Sequence, residues 1–346
     1  LPEHRLVLHV GTHKTGTTAV QAYMGQCRAP LAAQGILYPS LRPGRWREMD
    51  AHHKVAQALA RHNLLDRVRL GRYARYLQEQ RTTARLTVLS AESIFRHVLG
   101  KPGQDDLPAW FAAHRSYLRR LSQWLDGFEV RPLVYLREPS ELAISMFKEH
   151  VVRRLLAPGQ RDLGSFLAMS AHYYEYSSHV AALRDVFGTV DVRDYADAQR
   201  RGLQAEFARH IGAENLPAPA HDDVRRSPSN RATLWLAAQP RQRSRDHYRR
   251  VLFAVRTGNG GPFDEDEPTT LWPDATVFER FVERHGASWD QSFLPAPNWP
   301  GLRPAAWSRD DHAAADAAFA DWQRRNLETL RKREARGLAF YAPDPG

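Results

Sequence analysis

The sequence predicts an α/β protein: a parallel β-sheet flanked by helices, with a largely helical C-terminal portion. Three observations carry that reading. Short apolar runs rich in β-formers alternate with longer stretches of helical spacing. The first such run, "RLVLHV" (5–10), stops at Gly11 and feeds a polar turn holding a second glycine, Gly16. A helix opens directly after that turn, and strand, glycine turn and helix start together make the phosphate-binding unit typical of this class.

The elements follow in order along the chain. The run at 5–10 reads as a buried strand. Apolar residues at helical spacing predict a helix over 17–35, with Gly35 as its stop. "ILYP" (36–39) predicts a short second strand, 50–81 a helical stretch and "LTVLS" (86–90) a further strand. A helix at 110–126 and a strand at 130–137 come next. Pro139 is placed to open a helix over about 140–155. Residues 163–187 read as mostly helical, "TVDVRDY" (189–195) as a strand and 198–211 as a helix. "PAPAHDDVRRSPSN" (217–230) reads as a linker or surface excursion, and 312–335 as a helix. The expected organisation is a core over 1–215 and a helical and loop extension over 216–346, packed on that core.

The bulk numbers bound the class. The 346 residues suffice for a sizeable core, and 42% hydrophobic with 25% charged residues is ordinary for a soluble globular protein. The net charge is +10, yet of 49 basic residues only Lys14, Lys54, Lys101, Lys148 and Lys332 are lysine. Abundant arginine, alanine and proline fit a GC-rich, bacterial coding sequence. The surplus charge either reflects that bias or attracts polyanionic ligands. No basic run interleaved with aromatics forms a nucleic-acid module, so no nucleic-acid partner is expected. Cys27 is the only cysteine, which excludes an intrachain disulfide and a cysteine metal cluster. No apolar run approaches a membrane span. A cytoplasmic protein is expected, although a chain opening on Leu1 leaves a removed leader open.

"HVGTHKTGTTAVQ" (9–21) is the most informative stretch. Its glycines, Gly11 and Gly16, have the spacing of the nucleoside-triphosphate loop G-x-x-x-x-G-K-[ST]. Thr17 stands where that loop has lysine, and the lysine sits inside the turn at Lys14. Free backbone N–H groups, a helix dipole, the hydroxyls of Thr15, Thr17 and Thr18 and the charge of Lys14 all suit a phosphate. The displaced lysine argues against an ordinary ATPase or kinase. The second informative stretch is "LVYLREPSELAISMF" (133–147). Arg137 closes a strand and Ser145 lies on the helix after Pro139, so both can reach the sheet edge where the first loop lies. Arginine offers a planar fork for phosphate and serine one further hydroxyl bond.

On these residues the chain resembles sulfotransferases that use 3′-phosphoadenosine 5′-phosphosulfate (PAPS). The K-[ST]-G-T-T pattern of that family is matched by Lys14, Thr15, Gly16, Thr17 and Thr18, and its strand-end arginine with a serine eight residues on by Arg137 and Ser145. The resemblance covers about residues 5–155. It implies a fold like that of the P-loop nucleoside triphosphate hydrolases. It also implies a first loop that grips the 5′-phosphosulfate, and Arg137 and Ser145 on the 3′-phosphate. PAPS would be the co-substrate and PAP, its desulfated form, the product. The R-K-G-x-x-G motif of cytosolic members is absent; "LRKREARG" (330–337) is a superficial echo.

Within that family Lys14 is expected beside the bridging oxygen, stabilising charge on the leaving phosphate without an obligatory metal. The acceptor hydroxyl needs a base. Glu92, in "VLSAESIF" just past the strand at 86–90, is similar to the glutamate of carbohydrate-sulfating members. His53 or His52, in "DAHHKVAQAL", is the alternative. The acceptor is a small molecule or glycan: a glycan, glycolipid or secondary metabolite hydroxyl. Residues 40–85, 155–180 and the C-terminal third would shape its pocket. The tryptophans at 235, 272, 289, 299 and 307 are either core or acceptor-stacking residues, and the acidic "FDEDEP" (263–268) reads as a solvated loop. No histidine spacing suggests a metal site. An atypical kinase using ATP and Mg²⁺, or a non-catalytic nucleotide or polyanion binder, are the competing functions.

Overall fold

A computed structural model describes residues 4–61, 63–95, 106–152, 162–219, 228–239, 269–289, 302–305, 308–328 and 331–332. Five strands form one parallel sheet: β1 (His4–His9), β2 (Ile36–Leu37), β3 (Leu86–Ser90), β4 (Phe128–Leu136) and β5 (Asp191–Asp194), in the spatial order β2-β3-β1-β4-β5. The α/β class and the parallel sheet are as the sequence predicts. β1 lies between β3 and β4, with His9 level with Ser90 on one side and Leu133 on the other. Leu6 and Leu8 of β1, all of β3 and Leu133–Leu136 are buried, the continuous apolar pattern of strands covered on both faces.

Several expected helices are interrupted, each at an identifiable residue. The stretch 17–35 divides into α1 (Thr17–Gln26) and α2 (Arg28–Ala33) at Cys27. Pro30 lies in the first turn of α2, where its missing N–H is harmless; within one long helix it would clash with the preceding turn. Gly35 stops the stretch with φ 69°. The stretch 50–81 is two helices, α3 (His53–Arg61) and α4 (Leu64–Gln80). Asn63 caps α4 by accepting from the Asp66 N–H at 2.8 Å. α5 (Leu107–Trp124) and α6 (Pro139–Val152) follow as expected, the rest of the latter's stretch lying outside the described residues. Residues 163–187 hold α7 (Leu163–Ala168) and α8 (Tyr176–Phe187) with a 3-10 turn between them. The stretch 198–211 divides into α9 (Tyr195–Arg200) and α10 (Leu203–His210) at Gly202, whose φ is 79°.

The chain forms two compact units. The first comprises Leu1–Leu142, Met169–Asp223 and Glu283–Pro297 and contains the whole five-stranded sheet. In its core Val20, Met24, Cys27 and Leu31 of α1 and its successor pack with Val7, Val88 and Tyr135 of the sheet and with Phe207 and Ile211. The Cys27 thiol is buried there, which pushes its pKa up and disfavours the thiolate. Trp289 is a core residue of this unit, its indole N–H donating to the Tyr174 carbonyl at 3.0 Å.

The second unit comprises Ala143–Ala168, Val224–Val282 and Asn298–Gly346. It includes α11 (Asn230–Ala238), the helices Ala275–His285 (in part) and Arg309–Arg325, and a short parallel pair, Thr269–Thr270 with Arg303–Pro304. Trp235 and Trp272 are core residues of this unit, packed on Phe319 and on Phe278 and Phe281. The last helix begins at Ser308, where Ser308 and Asp311 form a reciprocal capping box. Trp299, Trp307 and residues 263–268 lie outside the described residues.

Buried histidines set an acid limit on the first unit. Burial lowers the pKa of His9 to about 3, and those of His52 and His114 to about 4. Unfolded, each takes a proton near 6.5. Between that value and the folded ones the unfolded chain binds more protons, so stability falls as pH falls. Each histidine then removes about 1.4 kcal/mol per pH unit. Urea midpoints at pH 7, 6 and 5 should therefore decrease with a steepening slope; a flat profile would show that these rings are not held neutral.

Candidate functional site

Three strand ends meet where the order of the sheet reverses. From β1 the sheet continues through β3 on one side and β4 on the other, and in open parallel sheets the crevice beyond that reversal is where ligands bind. The loop 10–16 leaves β1 at this edge, Glu92 follows β3, and Arg137 follows β4.

The loop is tied down by its own threonines. Thr12 Oγ1 donates to the Tyr135 carbonyl of β4 at 2.8 Å, and Thr15 Oγ1 donates to the Thr12 carbonyl at 2.7 Å. Lys14 and Gly16 both hold left-handed backbones, with φ 65° and 66°. For lysine that conformation costs about 1–2 kcal/mol, a strain of the kind that gathers at functional turns. Gly16 is the N-cap of α1 and no side chain caps it, so the first N–H groups of the helix are left facing the turn. A Cβ on Gly16 would lie 2.4 Å from Leu203 Cδ2. Thr17 is buried at the helix start, and Thr18 is exposed in the first turn.

Gly11 brings the base candidate close. A Cβ there would meet Thr17 Oγ1 at 2.4 Å and the Glu92 Cβ at 3.3 Å, so its bare backbone lets both residues close in on the loop. Glu92 starts a 3-10 turn whose approach is fixed by Ala91 N–H donating to the His9 carbonyl at 3.0 Å. Its carboxylate lies 3.7 Å from Nδ1 of His13, a buried ring set edge-on to Tyr173.

Arg137 closes the other side. Its Nη1 donates to the Lys14 carbonyl at 3.4 Å and its Nε to Glu141 Oε2 at 3.1 Å. The guanidinium lies over the Tyr195 ring, 5.7 Å from the centroid, and Tyr176 Oη donates to the Arg137 carbonyl at 2.8 Å. Gly11, Lys14, Thr15, Gly16, Thr17, Thr18, Glu92 and Arg137 are thus all at or beside one sheet edge. Ser145 follows on α6, is buried, and belongs to the second unit.

The two histidines named as alternative bases differ in kind. His52 is locked: Ser90 N–H donates to its Nδ1 at 3.0 Å, so Nε2 carries the proton and donates to the Pro39 carbonyl at 3.0 Å. Both nitrogens are committed and burial holds the ring neutral, which makes it a clamp on the end of β3 rather than a base. His53 opens α3 at intermediate burial.

Sequence reasoning passed over Thr12, His13 and Tyr195. His13 had a legible signal, an ionisable ring inside a glycine turn. Tyr195 had none, because only the fold brings the start of α9 to the loop.

No protein-family model matches the chain, nor does any curated protein or solved structure match it significantly. Among the described residues no group of three or more His, Cys, Asp or Glu is arranged to hold a metal ion, and no helix is long and apolar enough to cross a membrane.

The edge combines a helix N-terminus, a lysine and an arginine with the carboxylates of Glu92 and Glu141, a set suited to binding a multiply charged anion beside a proton acceptor. Gly16 tests the loop's geometry. Gly16→Ala meets the left-handed penalty and forces the Leu203 side chain to shift, and should lower unfolding free energy by about 1–2 kcal/mol. An unchanged denaturation midpoint would show that the turn is not built as described.

Proposed function

We propose that the chain is a PAPS-dependent sulfotransferase on a P-loop-like fold, moving a sulfuryl group to an acceptor hydroxyl. One observation carries the reading. The two motifs of the resemblance, 123 residues apart, are joined directly by the hydrogen bond from Arg137 to the Lys14 carbonyl. A nucleotide with phosphates at both the 5′ and 3′ positions needs two such cationic groups on one surface.

The residues present suit that co-substrate. The uncapped start of α1, the threonine hydroxyls and Lys14 would take the 5′-phosphosulfate, and Arg137 the 3′-phosphate. PAPS supplies a sulfuryl group already joined to a good leaving group. Lys14 offers its ammonium where charge develops as the S–O bond breaks. Glu92 accepts the proton of the attacking hydroxyl, and His13, 3.7 Å away, steadies the carboxylate. The products are a sulfate ester, PAP and a proton held on Glu92. The acceptor is a small molecule or glycan.

A thermal-shift comparison of PAP with ATP, with and without Mg²⁺, tests the reading. Ligand at 100 times its Kd adds about 2.7 kcal/mol, a rise of a few degrees for a chain of this size. The expected result is a rise with PAP that needs no metal and is lost in Arg137→Ala. A rise only with ATP and Mg²⁺ would return the chain to the kinases. In a transfer assay Lys14→Ala should lose turnover far more than PAP binding, and Glu92→Gln should abolish turnover with PAP binding kept; turnover retained in Glu92→Gln would pass the base role to His53.

A further inference from the structure

Arg137 is held by more contacts than its placement requires. Its backbone is anchored by Tyr176, its Nη1 by the Lys14 carbonyl, and its planar face by Tyr195. None of these consumes an anion-binding position beyond one N–H. The remaining contact does. Glu141, one helical turn on, takes the Nε proton through a single oxygen at 3.1 Å. The strongest and most specific guanidinium–carboxylate pairs make two parallel bonds to the fork. Glu141 instead makes one, and its side chain is 59% exposed against 25% for Arg137. It can swing into water at little cost.

We propose that Glu141 is a stand-in anion. It occupies part of the Arg137 fork that a ligand phosphate would take, and the ligand must displace it. The inference rests on reading Arg137 as a ligand-phosphate contact. Its consequence is a threshold. A lone anion that reaches only Arg137 competes with a tethered carboxylate, whereas a ligand also held by the glycine loop has the additional contacts needed to displace it. The same carboxylate, once displaced, stays near the bound phosphate and repels it.

The size of the effect follows from exposure. Solvent-exposed ion pairs contribute at most about 1 kcal/mol, so removing the competitor should tighten anion binding by roughly two- to five-fold. Isothermal titration of PAP, and separately of inorganic pyrophosphate, into wild type, Glu141→Gln, Arg137→Ala and the double variant provides the test. The expected result is tighter binding in Glu141→Gln and no gain from the same change in the Arg137→Ala background. Equal or weaker binding in Glu141→Gln would overturn the proposal and make Glu141 a support for Arg137. If pyrophosphate binds and tightens while PAP does not bind, the stand-in role holds and the nucleotide reading fails. If neither anion binds wild type, both fail.

Discussion

The parallel pairing of β1 with β3 on one side and β4 on the other is the constraint on which the site depends. It brings His9, Ser90 and Leu133 level, so the chain leaves three neighbouring strands at one edge. Everything with chemistry follows within a few residues of those exits: the glycine loop, Glu92 and Arg137. No long side chain has to reach across the molecule, because the sheet has already done the gathering.

A buried polar network supports that edge from beneath. Ser90 Oγ shares a hydrogen bond with His9 Nδ1 at 2.9 Å and accepts from Gln21 Nε2 at 3.1 Å, which links the ends of β1 and β3 to α1. His52 binds the backbone of the same serine and reaches Pro39, beyond β2. These groups are deeply buried, where a hydrogen bond counts for more than in water, and the bonds they make fix the strand ends against one another. The rigidity matters to the loop above. A lysine held at φ 65° is a strained choice, and it persists because Thr12, Thr15 and Gly16 determine the turn around it.

Much of this was legible in the sequence because the signals were local. "RLVLHV" before Gly11 has the composition of a buried strand, and glycines at 11 and 16 before a threonine-rich helix start mark the turn. Arg137 and Glu92 were legible as residues just beyond strand ends. The helix breaks were also encoded, by Pro30, by Asn63 with Asp66 and by Gly202, but helical periodicity ran through all three and concealed them. The long-range facts were not legible. Nothing near Lys14 announces a left-handed backbone, nothing near Tyr195 places it under Arg137, and no local pattern assigns Ala143–Ala168 to the same compact unit as the C-terminal helices. Such features arise from packing between distant segments, to which periodicity and turn chemistry are blind.

The most direct measurement is the crystal structure of the chain with PAP bound. The expected density has the 5′-phosphate on the backbone N–H groups between Lys14 and Thr18 and the 3′-phosphate on the Arg137 guanidinium. PAP bound elsewhere, or at the loop with Arg137 facing solvent, would contradict the assignment of this sheet edge as a two-phosphate site.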